Sequence, residues 1–157
     1  FTGVNEVMAR LRPGGDVWER VQKALIRAMI ENTEDLLRRS MLDAPVLEGT
    51  LRASGSAVVF ANGRPVARRG TQAFQVETGR GEVGHRIVER RAVHAGGLGD
   101  AVVGIVAFNT PYALVQHERL DFHHPKGGKA KYLEDNLKAQ AEAYQGNLRD
   151  AIAGALA

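Results

Sequence analysis

The apolar residues near the start of the chain recur at helical spacing. One face carries Trp18, Val21, Leu25, Ala28 and Leu36, with Asn32 as a polar interruption. Proline disfavours helical geometry at the residue before it, so Pro45 predicts the end of this helix. The pattern therefore predicts a helix from Asp16 to about Leu42, and Asp16 with Glu19 fits a capping box at its start.

A second helical pattern covers the last part of the chain. Its apolar face comprises Leu133, Leu137, Ala141, Tyr144, Leu148, Ile152 and Ala155, spaced three or four residues apart. A shorter helix is predicted from Thr110 through Glu118, because Thr110 suits an N-cap and Pro111 suits the first helical position. We expect a loop from Arg119 to Gly128 between the two.

The chain between these helices is typical of short strands. The predicted strands are, in chain order, Ser56–Phe60, Pro65–Arg68, Phe74–Thr78, Arg86–His94 and Ala101–Phe108. Asn62-Gly63 predicts a tight hairpin between the first two, because both residues tolerate positive φ. The last two strands would form a long hairpin with a glycine-rich turn at Gly96, Gly97 and Gly99.

This order predicts an α+β fold in which helices pack on one face of a sheet. We expect a long N-terminal helix, an antiparallel sheet of about four to five strands with a long hairpin, a short helix, and a long C-terminal helix packed on the sheet. A chain of 157 residues can bury a substantial core, so residues 1–157 are predicted to form a single domain.

Composition excludes several classes of protein. The absence of cysteine removes disulfides, thiolate zinc sites and cysteine nucleophiles. A net charge of +3 is too small to indicate a nucleic-acid partner by itself. No apolar run approaches the length of a membrane span, and no secretory segment opens the chain, so we expect no membrane partner.

Two motifs associated with catalysis lack the context that they need. Gly79 to Gly84 matches the dinucleotide pattern G-x-G-x-x-G, but the helix and parallel strand that should follow are missing from the pattern. The three serines, Ser40, Ser54 and Ser56, lie outside any G-x-S-x-G elbow. We therefore assign no catalytic residue and no cofactor from these motifs, and an acid/base pair among the scattered carboxylates stays open.

A histidine-rich segment raises the question of a metal site. The potential ligands are His117, Glu118, Asp121, His123 and His124. Imidazole and carboxylate groups suit zinc, but no recognised ligand spacing is present. Adjacent residues on a helix point about 100° apart, which separates His117 from Glu118. We interpret these residues as polar packing around a loop and assign no metal ligand, and a metal site remains the alternative.

The middle of the chain is rich in arginine and has no lysine. Its basic residues are Arg64, Arg68, Arg69, Arg80, Arg86, Arg90 and Arg91. Guanidinium groups suit phosphates and carboxylates equally, so these residues could line a DNA-facing lumen, pair with neighbouring subunits, or simply lie on a solvated hairpin. Aromatic residues for base stacking are absent here apart from Phe74, which argues against sequence-specific recognition.

Two segments resemble head–tail joining proteins of long-tailed bacteriophages, also called neck or tail-completion proteins. The first runs from Ala44-Pro45-Val46 through Gly49-Thr50-Leu51-Arg52-Ala53-Ser54 and is similar to the family's link between first helix and first strand. The second runs from Phe108 to Leu137 and resembles the family's run "TPYA…HE…HP.GG.AKYLE..L". Together they cover about a quarter of the chain.

The resemblance implies a structural virion protein without enzymatic activity. Members of this family assemble as rings, commonly hexameric, between the head connector and the tail. The implied partners are other copies of the chain, adjacent neck and tail ring proteins, and genomic DNA that passes through without sequence recognition. The implied location is the virion neck, after assembly in the host cytoplasm.

Ring assembly requires head-to-tail interfaces, in which aromatic residues and arginine are enriched. The residues expected at a subunit or ring interface are Phe108, Tyr112, His117, Glu118, Phe122, His124 and Tyr132. The basic residues expected at the lumen or between rings are Arg64, Arg68, Arg69, Arg86, Arg90 and Arg91.

Three other functions remain open at this point. A tail terminator would share the α+β architecture and the ring. A small metal-dependent hydrolase would use the histidine-rich segment between His117 and His124, and bound metal would favour it. A nonspecific DNA-binding module would use the arginine-rich section, and steep salt dependence of DNA binding would favour it.

Overall fold

The computed structural model describes residues 2–46, 49–70, 74–75, 82–83, 101–108, 110 and 112–157. The described helices are α1 (Thr2–Leu11), α2 (Asp16–Asp43), α3 (Thr50–Ala53), α4 (Ala113–Glu118) and α5 (Glu134–Leu156). The described strands are β1 (Gly55–Ala61), β2 (Arg64–Gly70), β3 (Phe74–Gln75), β4 (Glu82–Val83) and β5 (Val103–Phe108). The α+β class is confirmed, and α1 is an additional helix that the apolar pattern did not predict.

Helix α2 has nearly the predicted bounds, but its N-terminus is not capped by the predicted capping box. It runs from Asp16 to Asp43, close to the expected end before Pro45. Its N-cap is Gly15, and no side chain caps it. The Asp16 carboxylate instead accepts two hydrogen bonds from the guanidinium group of Arg10, at 2.9 and 2.8 Å. This ion pair joins the end of α1 to the start of α2.

The main described sheet is antiparallel with strand order β2-β1-β5. The Asn62-Gly63 hairpin is confirmed, because both residues have positive φ, at 51° and 69°. The separate pair β3-β4 aligns Phe74 with Val83. Four to five strands in one sheet are not confirmed, since three described strands join. The predicted hairpin arm Arg86–His94 lies outside the described residues, whereas its partner strand is present as β5.

Helix α2 covers one face of this sheet at close range. A Cβ atom on Gly104 of β5 would collide with the Thr33 hydroxyl and lie 3.1 Å from the sulfur of Met29. A Cβ atom on Gly55 of β1 would lie 2.9 Å from the Met41 side chain. Glycines at these two positions therefore let the helix approach the strands. The opposite face of β1 carries buried Val58 and Phe60.

Helix α5 packs chiefly on α2, rather than on the sheet as predicted. The contact is partly polar. The Asn32 amide donates to the Tyr144 carbonyl at 3.1 Å, and its oxygen accepts from the Asn147 amide at 2.8 Å. The Tyr144 hydroxyl donates to Asp35 at 2.9 Å. Asn32, the polar residue that interrupts the apolar face of α2, is therefore where α2 and α5 are hydrogen-bonded to each other. In the described part of the chain, no helix has the length and apolar character needed to cross a membrane.

Candidate functional site

The two segments that carry the family resemblance meet in space at the C-terminal end of α2. The Val46 N–H donates to the Gly127 carbonyl at 3.1 Å, and the Lys129 N–H donates to the Asp43 carbonyl at 2.9 Å. We call the paired stretches 43–46 and 127–129 the joint. It fixes the loop between α4 and α5, residues 119–133, against the end of α2.

The joint depends on a glycine. Gly128 has φ +94°, in the region that favours glycine, and a Cβ atom there would collide with Pro45 Cα and lie 2.6 Å from the Ala44 carbonyl oxygen. Gly127 has a similar φ of +93°, but a Cβ atom on it would meet nothing within 4 Å. Close approach of the backbones is therefore required at Gly128 alone of this pair.

Arg52 supports the same end of α2. Its Nε donates to the Ala44 carbonyl at 2.8 Å, and its Nη2 donates to the Leu42 carbonyl at 2.7 Å. The last carbonyls of a helix lack partners within the helix, and a guanidinium group satisfies them while opposing the negative end of the helix dipole. Arg52, which belongs to the first of the two segments, therefore caps the C-terminal end of α2.

Tyr132 is the apolar centre of the site. Its side chain is 1% exposed and packs with Ala44, Leu51 and Ala113, and with half-buried Phe108. The Phe108 and Tyr132 rings meet edge to face at 5.0 Å. The Tyr132 hydroxyl donates to the Ala113 carbonyl at 3.3 Å, and burial raises its pKa to about 12. Tyr132 is therefore a core residue of the chain itself.

A charged cluster lies beside Tyr132. The His117 ring packs edge to face on Tyr132 at 5.0 Å, and its Nδ1 lies 2.7 Å from the Glu118 carboxylate. Lys131 Nζ donates to Glu118 at 2.5 Å and lies 3.0 Å from Glu134. Glu134 also pairs with Lys138. The predicted residues His117 and Glu118 are thus brought together, although they are neighbours on a helix.

These ion pairs keep both carboxylates ionised. Hydrogen bonds from Lys131 and then His117 lower the pKa of Glu118. Hydrogen bonds from Lys138 and then Lys131 lower the pKa of Glu134 to about 2. Neither carboxylate is therefore suited to hold a proton near neutral pH, which a general acid would have to do.

The cluster also bears on the metal alternative. One ligand atom each from His117, Glu118 and Glu134 lies within 4.8 Å of the other two. The ammonium group of Lys131 contacts both carboxylates, so the cation at this site is supplied by the chain itself. Of the other potential ligands, Asp121 forms an ion pair with Arg119 at 2.7 Å. The residues present therefore fit a lysine better than a divalent metal.

The surface of α4 and the following loop is apolar in part. Leu114 and Leu120 are 72% and 77% exposed, and Tyr112 and Val115 are also exposed. Phe122 is half-buried beneath the Arg119 guanidinium group, which lies 4.7 Å from the ring centre. The sequence analysis identified Tyr112 and Phe122 but missed the leucines. Leu114 lies on a six-residue helix, which is shorter than two turns and gives no periodic signal, and Leu120 lies in the loop after that helix.

His124 lies in the same loop and is half-buried, with an Nε2 atom that has no hydrogen-bond partner among the described residues. With Phe122 and Pro45 it lines a small cavity of about 170 Å³ beside the joint. His123 also lines this cavity but is exposed.

Three of the basic residues expected at the lumen or between rings, Arg64, Arg68 and Arg69, lie on β2. Arg69 forms an ion pair with Glu34 of α2, so it faces the helix. Arg68 lies on the opposite face of the strand, because its partner in the register is Val58 whereas that of Arg69 is Ala57. Arg64 and Arg68 are exposed. The remaining expected basic residues, Arg86, Arg90 and Arg91, lie outside the described residues.

No family model matches the chain, and no curated protein or solved structure matches it.

Proposed function

We propose that this chain is a structural subunit of a ring in the neck of a long-tailed bacteriophage. The ring, of about six copies, would join the head connector to the tail and let genomic DNA pass through its centre. The subunit would be assembled in the host cytoplasm and retained in the virion. No residue of the charged cluster has a catalytic role in this proposal.

The observation that carries the proposal is the joint. The two segments that resemble head–tail joining proteins are separated by 53 residues in the sequence, yet they form one packed unit through Gly128, Arg52 and Tyr132. Short matches of independent origin would have no reason to contact each other. Here the matched residues supply the backbone hydrogen bonds, the close approach and the buried ring of one structure.

The exposed apolar residues next to the joint fit an assembly role. Leu114, Leu120 and Tyr112 form no part of the described core, and Arg119 packs on Phe122 beside them. Interfaces between subunits are enriched in aromatic residues and arginine and bury such exposed side chains. We therefore assign the subunit contact to α4 and the loop after it, with Tyr112, Leu120 and Phe122 as anchors.

The rival hydrolase receives less support from this geometry. A catalytic zinc site keeps one coordination position open for water, whereas the carboxylates of Glu118 and Glu134 converge on Lys131. For DNA, Arg64 and Arg68 offer exposed positive charge on one strand. Such an arrangement favours transient phosphate contacts over specific binding.

The deciding experiment is light scattering of the purified protein over a concentration series. A discrete mass near six times the 17.0 kDa of the chain supports the proposal and gives the symmetry. A monomer that stays monomeric at all concentrations, and also when mixed with a connector ring, contradicts it. Metal analysis and DNA binding at several salt concentrations on the same preparation test the two rivals.

A further inference from the structure

Helix α1 has an apolar stripe that is exposed and has no partner among the described residues of its own subunit. All side chains described in this helix, from Asn5 to Leu11, are exposed. Val7, Met8 and Leu11 are 54%, 50% and 46% exposed, and they share one face because they are spaced by one, three and four residues. Short helices owe most of their stability to tertiary packing of such a face. The stripe of α1 therefore lacks the contact that an amphipathic helix normally has.

The position of α1 is fixed at the start of α2. The Arg10–Asp16 ion pair joins the two helices. The turn between them is tight, since a Cβ atom on Gly15 would collide with the Arg10 carbonyl and lie 2.6 Å from the Ala9 carbonyl oxygen. The stripe is therefore presented from a defined place on the subunit.

An open apolar groove lies at the other end of α2. It has a volume of about 540 Å³ and lies between α2 and β2. Leu37, Met41 and Leu42 provide its apolar lining, and Leu42 is 62% exposed. Its charged edge comprises Glu34, Arg38, Arg52 and Arg69.

The arginines at the groove already have partners in their own subunit. Arg38 donates to Asp35 at 2.6 Å, and Arg69 pairs with Glu34. Arg52 donates to two carbonyls at the end of α2. The groove therefore does not require an acidic occupant, and an apolar stripe without a carboxylate suits it. The stripe of α1 has this character, because the only acidic residue of α1 is Glu6 and it lies outside the stripe.

The stripe and the groove of one subunit cannot meet. Asp16 and Leu37 are 21 residues apart on one continuous helix, which corresponds to about 32 Å. Helix α1 has ten residues and is therefore about 15 Å long, too short to reach back along α2. Only a second copy of the chain can bring one of these surfaces onto the other.

We propose that α1 of one subunit docks in the α2–β2 groove of the next subunit. The two surfaces are different, so the contact is head-to-tail, and repetition with rotation closes it into a ring. The inference rests on the proposed ring, for which it names a second pair of contacting surfaces in addition to α4 and the loop after it. A membrane surface is a poorer partner, because helices that lie on membranes carry several basic residues, whereas the one basic residue of α1, Arg10, is paired with Asp16.

The absence of cysteine allows a direct test by cross-linking. We would combine Met8→Cys with Leu42→Cys and treat the full chain with a short bis-maleimide linker. The matched control combines Met8→Cys with Lys138→Cys, which is exposed on α5. The expected result is a ladder that extends beyond the dimer for the first pair, since each subunit links to two neighbours. Each single variant should give dimers at most.

Light scattering on the same samples separates the two proposals. Discrete rings without a Met8→Cys to Leu42→Cys ladder above the control overturn the docking of α1 but leave the ring. Monomers without cross-links at every concentration, and also in the presence of a connector ring, overturn both. A ladder on particles of continuously varying mass supports docking and overturns the closed ring. As a second test, Met8→Asp should lower the association constant at least tenfold, while Asn5→Asp, off the stripe, should leave it within twofold.

Discussion

Gly128 lies directly against Pro45, with no room for a side chain between the two backbones. This contact joins a loop near the end of the sequence to the residue that follows α2. Gly127 and Gly128 both have positive φ, but only at Gly128 would a side chain collide with another part of the chain.

Gly128→Ala should destabilise the protein by about 3 kcal/mol, because it adds a steric collision to the cost of positive φ. Gly127→Ala is the matched control, since it carries the same backbone strain in open space and should cost about 1 kcal/mol. Urea unfolding followed by circular dichroism measures both. Equal losses would show that the approach to Pro45 is not tight in solution.

The amide pair between α2 and α5 should stabilise the fold measurably. Asn32 is 7% exposed, so Asn32→Ala leaves the Asn147 amide and the Tyr144 carbonyl without their partner, at a cost of about 2 kcal/mol. A double-mutant cycle with Asn147→Ala should give a coupling free energy of about 1 kcal/mol. Gln145→Ala, exposed on the same helix, is the control and should change stability by less than about 0.5 kcal/mol. Additive losses in the cycle would contradict the hydrogen bond.

The same helix pair should make stability depend on acid pH. Burial opposes ionisation of Asp35, but hydrogen bonds from Arg39, Tyr144 and Arg38 outweigh it and lower the pKa. A carboxyl whose folded pKa is lowered stabilises the protein above its unfolded pKa of about 3.9, and this contribution is lost as pH falls through the folded pKa. The free energy of unfolding should therefore fall below about pH 4.

Unfolding midpoints measured at several pH values check this dependence. Asp35→Asn should remove part of the decline below about pH 4, because the group that titrates is gone. Tyr144→Phe, which removes one of the three donors, should give an intermediate slope. A slope in Asp35→Asn equal to that of the unsubstituted protein would show that this carboxylate does not contribute.

Lys131 should control whether the charged cluster binds metal. Its ammonium group contacts both Glu118 and Glu134, so the protein should bind Zn²⁺ weakly. Lys131→Asn removes this cation and keeps a residue that tolerates the observed φ of 55°. Calorimetric titration should show at least a tenfold rise in Zn²⁺ affinity. Lys138→Asn, which removes a cation that contacts Glu134 only, should have a smaller effect. Tight Zn²⁺ binding by the unsubstituted protein would favour the alternative function as a metal-dependent hydrolase.

Substitution of the exposed loop residues should weaken assembly without unfolding the subunit. Leu120 is 77% exposed, so Leu120→Asp should leave the unfolding midpoint unchanged and lower the association constant at least tenfold. Tyr112→Ala should act in the same direction. Gln145→Asp adds the same charge on α5 and serves as the control. Light scattering measures assembly, and unchanged ring formation in Leu120→Asp would place the subunit contact elsewhere.

Helix α2 and the first hairpin were predictable because each depends on a pattern of residues that are close in sequence. The apolar spacing from Trp18 and the position of Pro45 predicted α2, and Asn62-Gly63 predicted the hairpin between β1 and β2. The capping box failed because the nearby Arg10 competes for the Asp16 carboxylate. That competition involves α1, which the apolar pattern did not reveal.

The partner of α5 could not be predicted, because an apolar stripe does not specify which surface it will cover. The hydrogen bond between the amides of Asn147 and Asn32 holds α5 against α2, and neither residue belongs to the apolar stripe. In the site, residue types predicted that the histidine segment would be polar packing. The role of Lys131 was not predictable, since it depends on a loop that brings Lys131 back to Glu118, 13 residues earlier.

The pairing of α2 with α5 also constrains how the chain is made. Asn32 and its partner Tyr144 are separated by 112 positions, so α2 emerges from the ribosome long before the helix that covers it. Its α5-facing side stays exposed to water during that interval, and contacts so distant in sequence form slowly. The newly made chain would therefore expose this helix face until synthesis passes α5, and such transiently exposed surfaces favour aggregation or chaperone binding.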